Sequence, residues 1–298
     1  MPETDPVAVI GVGAVGTLLA GALAAAGHPI LACGRARLTS ITVTTDTGSA
    51  SYAVTWTDQP GDLRGVRWTV LATKIHDTAA AAGWLAAPSP GQCLLAAQNG
   101  VSHRERLAQL THATVVPVLV YVNAERTGRG CVRARITGRS LVLPDDAPGR
   151  SAASLFSGSA LAVETAADFR TAEWEKLLSN VTANPLTALT GRRAEVLREP
   201  PVAALAMDLL RETVAVARAE GASLPDDAAP DMLGWLQALP PGATSSMLQD
   251  RQAGHRLEHD GLLGPTPGTP ACTTCSPAPA VPARTGSAAW PPTKAHRA

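Results

Sequence analysis

Three polar side chains recur at intervals of four in a mostly apolar stretch: Lys176, Asn180 and Asn184, inside Trp174-Glu175-Lys176-Leu177-Leu178-Ser179-Asn180-Val181-Thr182-Ala183-Asn184-Pro185. On a helix they lie along one side. An ammonium beside two amides can hold an oxygen-rich small molecule and give it a proton. A solvated face is the ordinary alternative for such residues, yet Leu177, Leu178 and Val181 bring this stripe to the margin of a core. A free lysine titrates near pH ~10.4, so it is charged at neutral pH and competent as an acid without retuning.

A second group of residues suits phosphate. Gly11-Val12-Gly13-Ala14-Val15-Gly16 follows the apolar run Val7–Ile10 and precedes a Leu- and Ala-rich stretch, 17–26, that stops at Gly27. In a strand, glycine turn and helix, Gly11 makes the tight turn, Gly13 lets backbone approach a pyrophosphate, and Gly16 lets helix pack on strand. The helix start offers free N–H groups and partial positive charge. Beyond the next apolar run, Ile30–Cys33, stand Arg35 and Arg37 where a free ribose 2′-hydroxyl would call for an acidic residue. Arginine there favours a 2′-phosphate, hence NADP, although arginines also merely solvate strand ends.

Lys74 and Asn99 each follow a strand-like run, 68–73 and 93–97, where open α/β sheets bind ligands; Asn99-Gly100 is equally an ordinary turn. Ser246 and Gln249 have the spacing of a capping box, with Ser246 as N-cap. Capping alone needs no ligand, but the helix start could face a carboxylate. Asp250, Gly254 and Glu258 follow at intervals of four, so Glu258 shares a face with a glycine that permits close approach.

Positioning these groups takes two kinds of architecture. Up to about residue 167 the pattern is strand-like: the runs above, a hairpin over 42–57, and strands at 130–136 and 140–143 that extend the sheet in antiparallel fashion. Pro144 to Ser151 reads as a loop and Ala152 to Leu161 as a helix. Asp168 opens a second domain of helices over about 171–189, 201–220 and 226–239 and from 246 onward. Pro185 should kink or break the first of these.

The totals narrow the class of function. The chain has 298 residues, enough for two modest domains, and its 25 Lys+Arg against 25 Asp+Glu gives no argument for nucleic acid or an anionic membrane. The uncharged stretch from Pro6 to Pro29 is long enough to suggest a membrane span, but its glycines fit a dinucleotide turn better, and Glu3 and Asp5 deny it a signal peptide's basic flank. Cys33, Cys93 and Cys131 are widely spaced beside apolar runs and read as buried thiols of a reducing, cytoplasmic compartment.

In order along 6–264, the glycine turn, Lys74, Gln98-Asn99-Gly100-Val101, Glu175-Lys176-Leu177 with Asn180 and Asn184-Pro185-Leu186-Thr187-Ala188-Leu189, and Ser245-Ser246-Met247-Leu248-Gln249-Asp250 with Glu258 and Asp260 resemble the ketopantoate reductase family. That resemblance implies an α/β chain with an N-terminal Rossmann domain for NADP (1–167) and an all-helical substrate domain (168–264), with the site between them. It implies catalytic places for Lys176, as general acid, and Glu258. Gly11, Val12, Gly13, Ala14, Val15, Gly16, Arg35, Lys74, Asn99, Ala124 and Glu258 would hold the cofactor. Asn99, Lys176, Asn180, Asn184 and Ser246 would hold an α-keto acid. No metal is implied, and a homodimer is left open.

Two departures qualify the resemblance. Ala194, flanked by Arg192, Arg193 and Glu195, stands where the family often has a further substrate-binding Asn. Another α-keto acid, or an impaired NADP-binding homologue, therefore stays open. After Leu263-Gly264 the chain turns rich in Pro, Ala and Thr through Ala298, a composition that cannot form terminal helices and that suggests an altered end from a shifted reading frame. The tail's Cys272-Thr273-Thr274-Cys275 has no second pair to make a metal site.

Overall fold

The computed structural model describes residues 5–88, 90–136 and 138–263. The proline-rich tail, its Cys272 and Cys275, and the expectation of a shifted frame lie outside them.

The chain opens with β1 (Val7–Ile10), buried throughout as befits an aliphatic strand covered on both faces. Then come α1 (Ala14–Ala25), β2 (Ile30–Cys33) and the hairpin of β3 (Ser40–Thr45) and β4 (Gly48–Ala53). Next are β5 (Thr55–Thr57), β6 (Trp68–Leu71), α2 (Ala82–Ala86), β7 (Cys93–Ala96), α3 (His103–Leu107) and β8 (Thr114–Pro117). Six of these strands form one parallel sheet in the order β5-β2-β1-β6-β7-β8. The order reverses between β1 and β6, the crevice at which doubly wound sheets bind nucleotides. Leu18, Leu19, Leu23 and Val70 belong to the core on one face, and Ala8, Leu71, Leu85 and Leu94 to that on the other.

The chain continues through β9 (Leu119–Val120), β10 (Asn123–Gly128), β11 (Cys131–Arg135), β12 (Arg139–Pro144), α4 (Ala147–Ser154) and β13 (Ala162–Ala166). These strands do not extend the main sheet, contrary to the pattern reading. β11 pairs antiparallel with β10 and parallel with β3 of the hairpin, while β12 lies between β9 and β13 in a third sheet. Such pairings are set by distant strands, which local periodicity does not record. The helix expected at 152–161 begins earlier, because Asp146 caps it by accepting from Gly149 N at 2.8 Å and Pro148 suits its first turn.

Beyond Asp168 the chain is helical: α5 (Phe169–Thr190), α6 (Pro200–Ala219), α7 (Ala228–Gln237), α8 (Ser246–Gln252) and α9 (His259–Leu263). These helices enclose their own core of Trp174, Leu178, Val181, Leu197, Leu210 and Leu236. Asp168 caps α5 by accepting from Thr171 N at 3.0 Å, and α5 then runs unbroken past Pro185 to the left-handed Gly191. The expected break is absent. Pro185 is buried, and the following turn is anchored by the Thr187 and Ser245 hydroxyls at 2.7 Å, so tertiary packing outweighs the missing N–H. Cys33 is buried, its thiol pushed up to about 12 by burial, whereas Cys93 and Cys131 are only half-buried, short of the expectation.

Candidate active site

The glycine turn lies at the crevice end of β1. Gly11 has φ of +89°, and a Cβ there would come within 2.7 Å of Thr73 Cγ2, so the turn presses on the loop after β6. A Cβ on Gly16 would collide with the Gly11 carbonyl oxygen, which fixes the close seating of α1. Gly13 differs: a Cβ there would meet nothing within 4 Å, and no side chain caps the helix it begins. Uncapped backbone amides facing open space fit the pyrophosphate of a dinucleotide. Val12, Ala14 and Val15 complete the turn, and Ala124 on β10 packs against the same core as α1. Arg35 and Arg37 are exposed just past β2.

From that turn, contacts run without a gap into the helical half. Gln98 is buried and donates from Nε2 to Thr73 O at 3.1 Å, Thr73 Oγ1 at 3.2 Å and Thr78 Oγ1 at 3.0 Å, locking the loops after β6 and β7 together. Its neighbour Asn99 thereby faces α5, where Asn180 Nδ2 approaches Asn99 Oδ1 at 3.5 Å. His103 ties the same loop to α5: Nε2 is 2.9 Å from the Gln98 carbonyl and Nδ1 3.1 Å from Glu173 Oε1. No sequence signal singled out His103 or Glu173, since their pairing spans 70 residues.

On α5 the polar stripe deepens along the helix: Lys176 and Asn180 are half-buried, and Asn184 is 4% exposed. Asn184 Nδ2 is buried without a protein partner, a donor left available to a ligand. Lys176 makes no ion pair among the described residues; its Nζ lies 4.8 Å from the centre of the Tyr121 ring. Burial lowers its pKa to about 8. An acid with that pKa, close to neutrality, is well matched to proton donation.

Lys74 and Glu258 occupy a clamp between the two halves. Lys74 Nζ lies 2.7 Å from Asp250 Oδ2 and 3.1 Å from Glu258 Oε2, while Glu258 Oε1 accepts from Ile75 N at 2.9 Å. Burial opposes the Lys74 charge, but Glu258 and Asp250 outweigh it and hold its pKa above the usual lysine value. Asp250 stood out in sequence by its spacing and its place in the motif, not by any pairing; its partner, Lys74, is 176 residues away. Ser246 is the exposed first residue of α8, not its cap. Ser245 is the cap, accepting from Leu248 N at 3.0 Å, so Gln249 is no capping-box partner. Of the two adjacent serines, Ser245 also reaches Thr187, and that contact selects it.

Parallel strands in nucleotide-binding order, a glycine turn at the reversal and an unpaired lysine on the facing helix define a nicotinamide-dinucleotide-dependent oxidoreductase. Comparison with known proteins agrees in detail. Residues 7–145 match the family described as ketopantoate reductase PanE/ApbA, and residues 168–267 match its C-terminal counterpart. The chain belongs to the ketopantoate reductase family. It is 36% identical over 259 residues to a 2-dehydropantoate 2-reductase of Mycobacterium tuberculosis, covering 85% of this chain and 87% of the relative. Among solved structures, a PanE/ApbA family ketopantoate reductase from Ralstonia eutropha JMP134 is 33% identical with a TM-score of 0.78, covering 86% of this chain and 88% of the other. A structure described as a dimeric ketopantoate reductase from Staphylococcus aureus is 25% identical with a TM-score of 0.75, covering 86% and 88%.

Proposed function

We propose that this chain reduces 2-dehydropantoate to pantoate with NADPH, a step of pantothenate and coenzyme A biosynthesis, and that Lys176 is the general acid. The observation that carries the reading is the unpaired, half-buried Lys176 with its pKa near 8, on the same helix face as Asn180 and Asn184 and across from Asn99. When bound, the reduced nicotinamide supplies hydride to the ketone carbon. Lys176 meets the negative charge that grows on the keto oxygen and donates its proton there. Asn180 and Asn184 orient the substrate's oxygens, Asn99 fixes the ketone against the cofactor ribose, and Ser246 receives the carboxylate end. Lys74 and Glu258 border the cofactor and hold the cleft walls together, Glu258 thereby supporting catalysis.

Arg35 supplies the preference for a 2′-phosphate, with Arg37 nearby. The dimeric Staphylococcus aureus relative supports a homodimer. Ala194, 6% exposed in the helical core, offers no amide to substrate, and this favours a second reading in which another α-keto acid is the better substrate. Steady-state NADPH oxidation with ketopantoate and a panel of α-keto acids tests both. Highest kcat/KM for ketopantoate is expected; a higher value for another keto acid selects the second reading, and turnover of none contradicts both. Arg35→Ala is expected to reduce the preference for NADPH over NADH by about tenfold or more, as loss of a charged hydrogen bond would.

A further inference from the structure

Tyr121 lies in the short link between β9 and β10, and the sequence gives it no motif. Its backbone N donates to the Ser140 carbonyl at 2.9 Å, which places its side chain beside β12. Two cations approach the ring: Lys176 Nζ is 4.8 Å from its centre and Arg139 Cζ 5.8 Å. Arg139 is itself held by Glu164 on β13, with Nε 2.9 Å from Oε2. The ring is therefore set by the sheet half of the molecule and meets the lysine of the helical half.

We propose that Tyr121 is a positioning residue: the face of its ring seats the Lys176 ammonium at the cleft without neutralising it, leaving the N–H groups for the substrate's keto oxygen. The proposal rests on the assignment of Lys176 as general acid. A carboxylate in the same place would hold the ammonium more tightly but occupy its donors and resist release of the proton. An aromatic face attracts the cation through its quadrupole and accepts no directed hydrogen bond along the cleft. The phenol remains neutral, since burial raises its pKa above the ordinary value against the opposing pull of Arg139. Glu175 on α5 and Glu164 on β13 act on the phenol in the raising direction, whereas burial alone shifts Lys176. The neighbouring side chains Asn99 and Asn180 are uncharged.

Replacing the ring by an aliphatic chain removes attraction for the charged lysine only, so the lysine should titrate lower; replacing the hydroxyl by hydrogen leaves the face in place. The test is the titration of the Lys176 side chain by NMR in the full-length protein, with the Lys176→Ala spectrum assigning its signal, for wild type, Tyr121→Phe and Tyr121→Leu. The expected midpoint falls by roughly half to one pH unit in Tyr121→Leu and stays within about 0.3 unit in Tyr121→Phe, from the strength of a partly desolvated cation–π contact. The basic limb of kcat for ketone reduction should move with it. An unmoved Lys176 midpoint in folded Tyr121→Leu overturns the proposal, as does an equal fall in Tyr121→Phe, which would assign the effect to the hydroxyl. Should Tyr121→Leu not fold, Tyr121→Phe against Tyr121→His at a pH where the imidazole is neutral makes the same comparison with an aromatic face of weaker attraction. If the midpoint moves as expected but the basic limb of kcat does not, the seat stands and the assignment of Lys176 as the acid fails.

Discussion

In its proposed role Lys176 combines two properties that ordinarily conflict: it is charged when it must donate, and it has no counter-ion among the described residues. Its burial, with no acidic partner among the described residues, lowers its pKa from 10.5 to about 8, which leaves it largely protonated at neutral pH. The cost appears in stability. Between about pH 8 and 10.5 the unfolded chain binds more protons at this site than the folded one, so stability from this group rises with pH across that window. Below it, both states hold the proton and the full penalty of burying the charge remains. Lys176→Met is therefore expected to be more resistant to urea than wild type at pH 7, with an advantage that shrinks as the pH is raised from 8 toward 10.5. Chemical denaturation at four or five pH values checks it, and a constant or growing advantage would contradict the linkage. Asn184 shows the same tension, a buried amide donor without a protein partner that the proposed role assigns to substrate.

Among the elements, the turn joining β1 to α1 separates what glycine does for folding from what it does for binding. Gly16→Ala forces a Cβ into the Gly11 carbonyl, and a loss of roughly 1–3 kcal/mol of stability is expected. Gly13→Ala meets open space, so stability should stay within about 0.5 kcal/mol of wild type while the Kd for NADPH rises by about tenfold or more. Thermal melts and fluorescence titration distinguish the two; weakened binding by neither would remove the turn from the cofactor site. This element was readable from sequence because all its determinants are local: an aliphatic strand, three glycines and a helix that stops at a fourth. The serine at the start of α8 was misread for the opposite reason, since Ser245 and Ser246 are equivalent locally and only Thr187, 58 residues away, distinguishes them. Likewise α4 was placed late because Pro148 was read as a loop residue although it suits a first helical turn.

The whole molecule is held in its working arrangement by a few polar links between the sheet half and the helical half. Two of them, Lys74 with Asp250 and Glu258, and His103 with Glu173, were invisible in sequence as pairings, although Lys74 and Glu258 were singled out individually. Long-range pairing leaves no periodic trace. The stripe on α5 was legible because its spacing is that of a helix, but its meeting with Asn99 and Tyr121 depends on how the halves pack. Glu258→Ala strands the Ile75 N–H as well as releasing one side of Lys74, and about 1–3 kcal/mol of stability should be lost, read by urea denaturation. A negligible change would mean that the segment leading into α9 does not fasten the two halves through this carboxylate.

The role proposed for Lys176 depends on where the keto oxygen binds. A crystal structure of the chain with NADP and ketopantoate measures it directly. The expected result is the keto oxygen about 3 Å from Lys176 Nζ, with the ketone carbon about 3–3.5 Å from the nicotinamide carbon that carries hydride. A bound ketopantoate whose keto oxygen is met by another donor, with Lys176 turned away from it, would contradict the account.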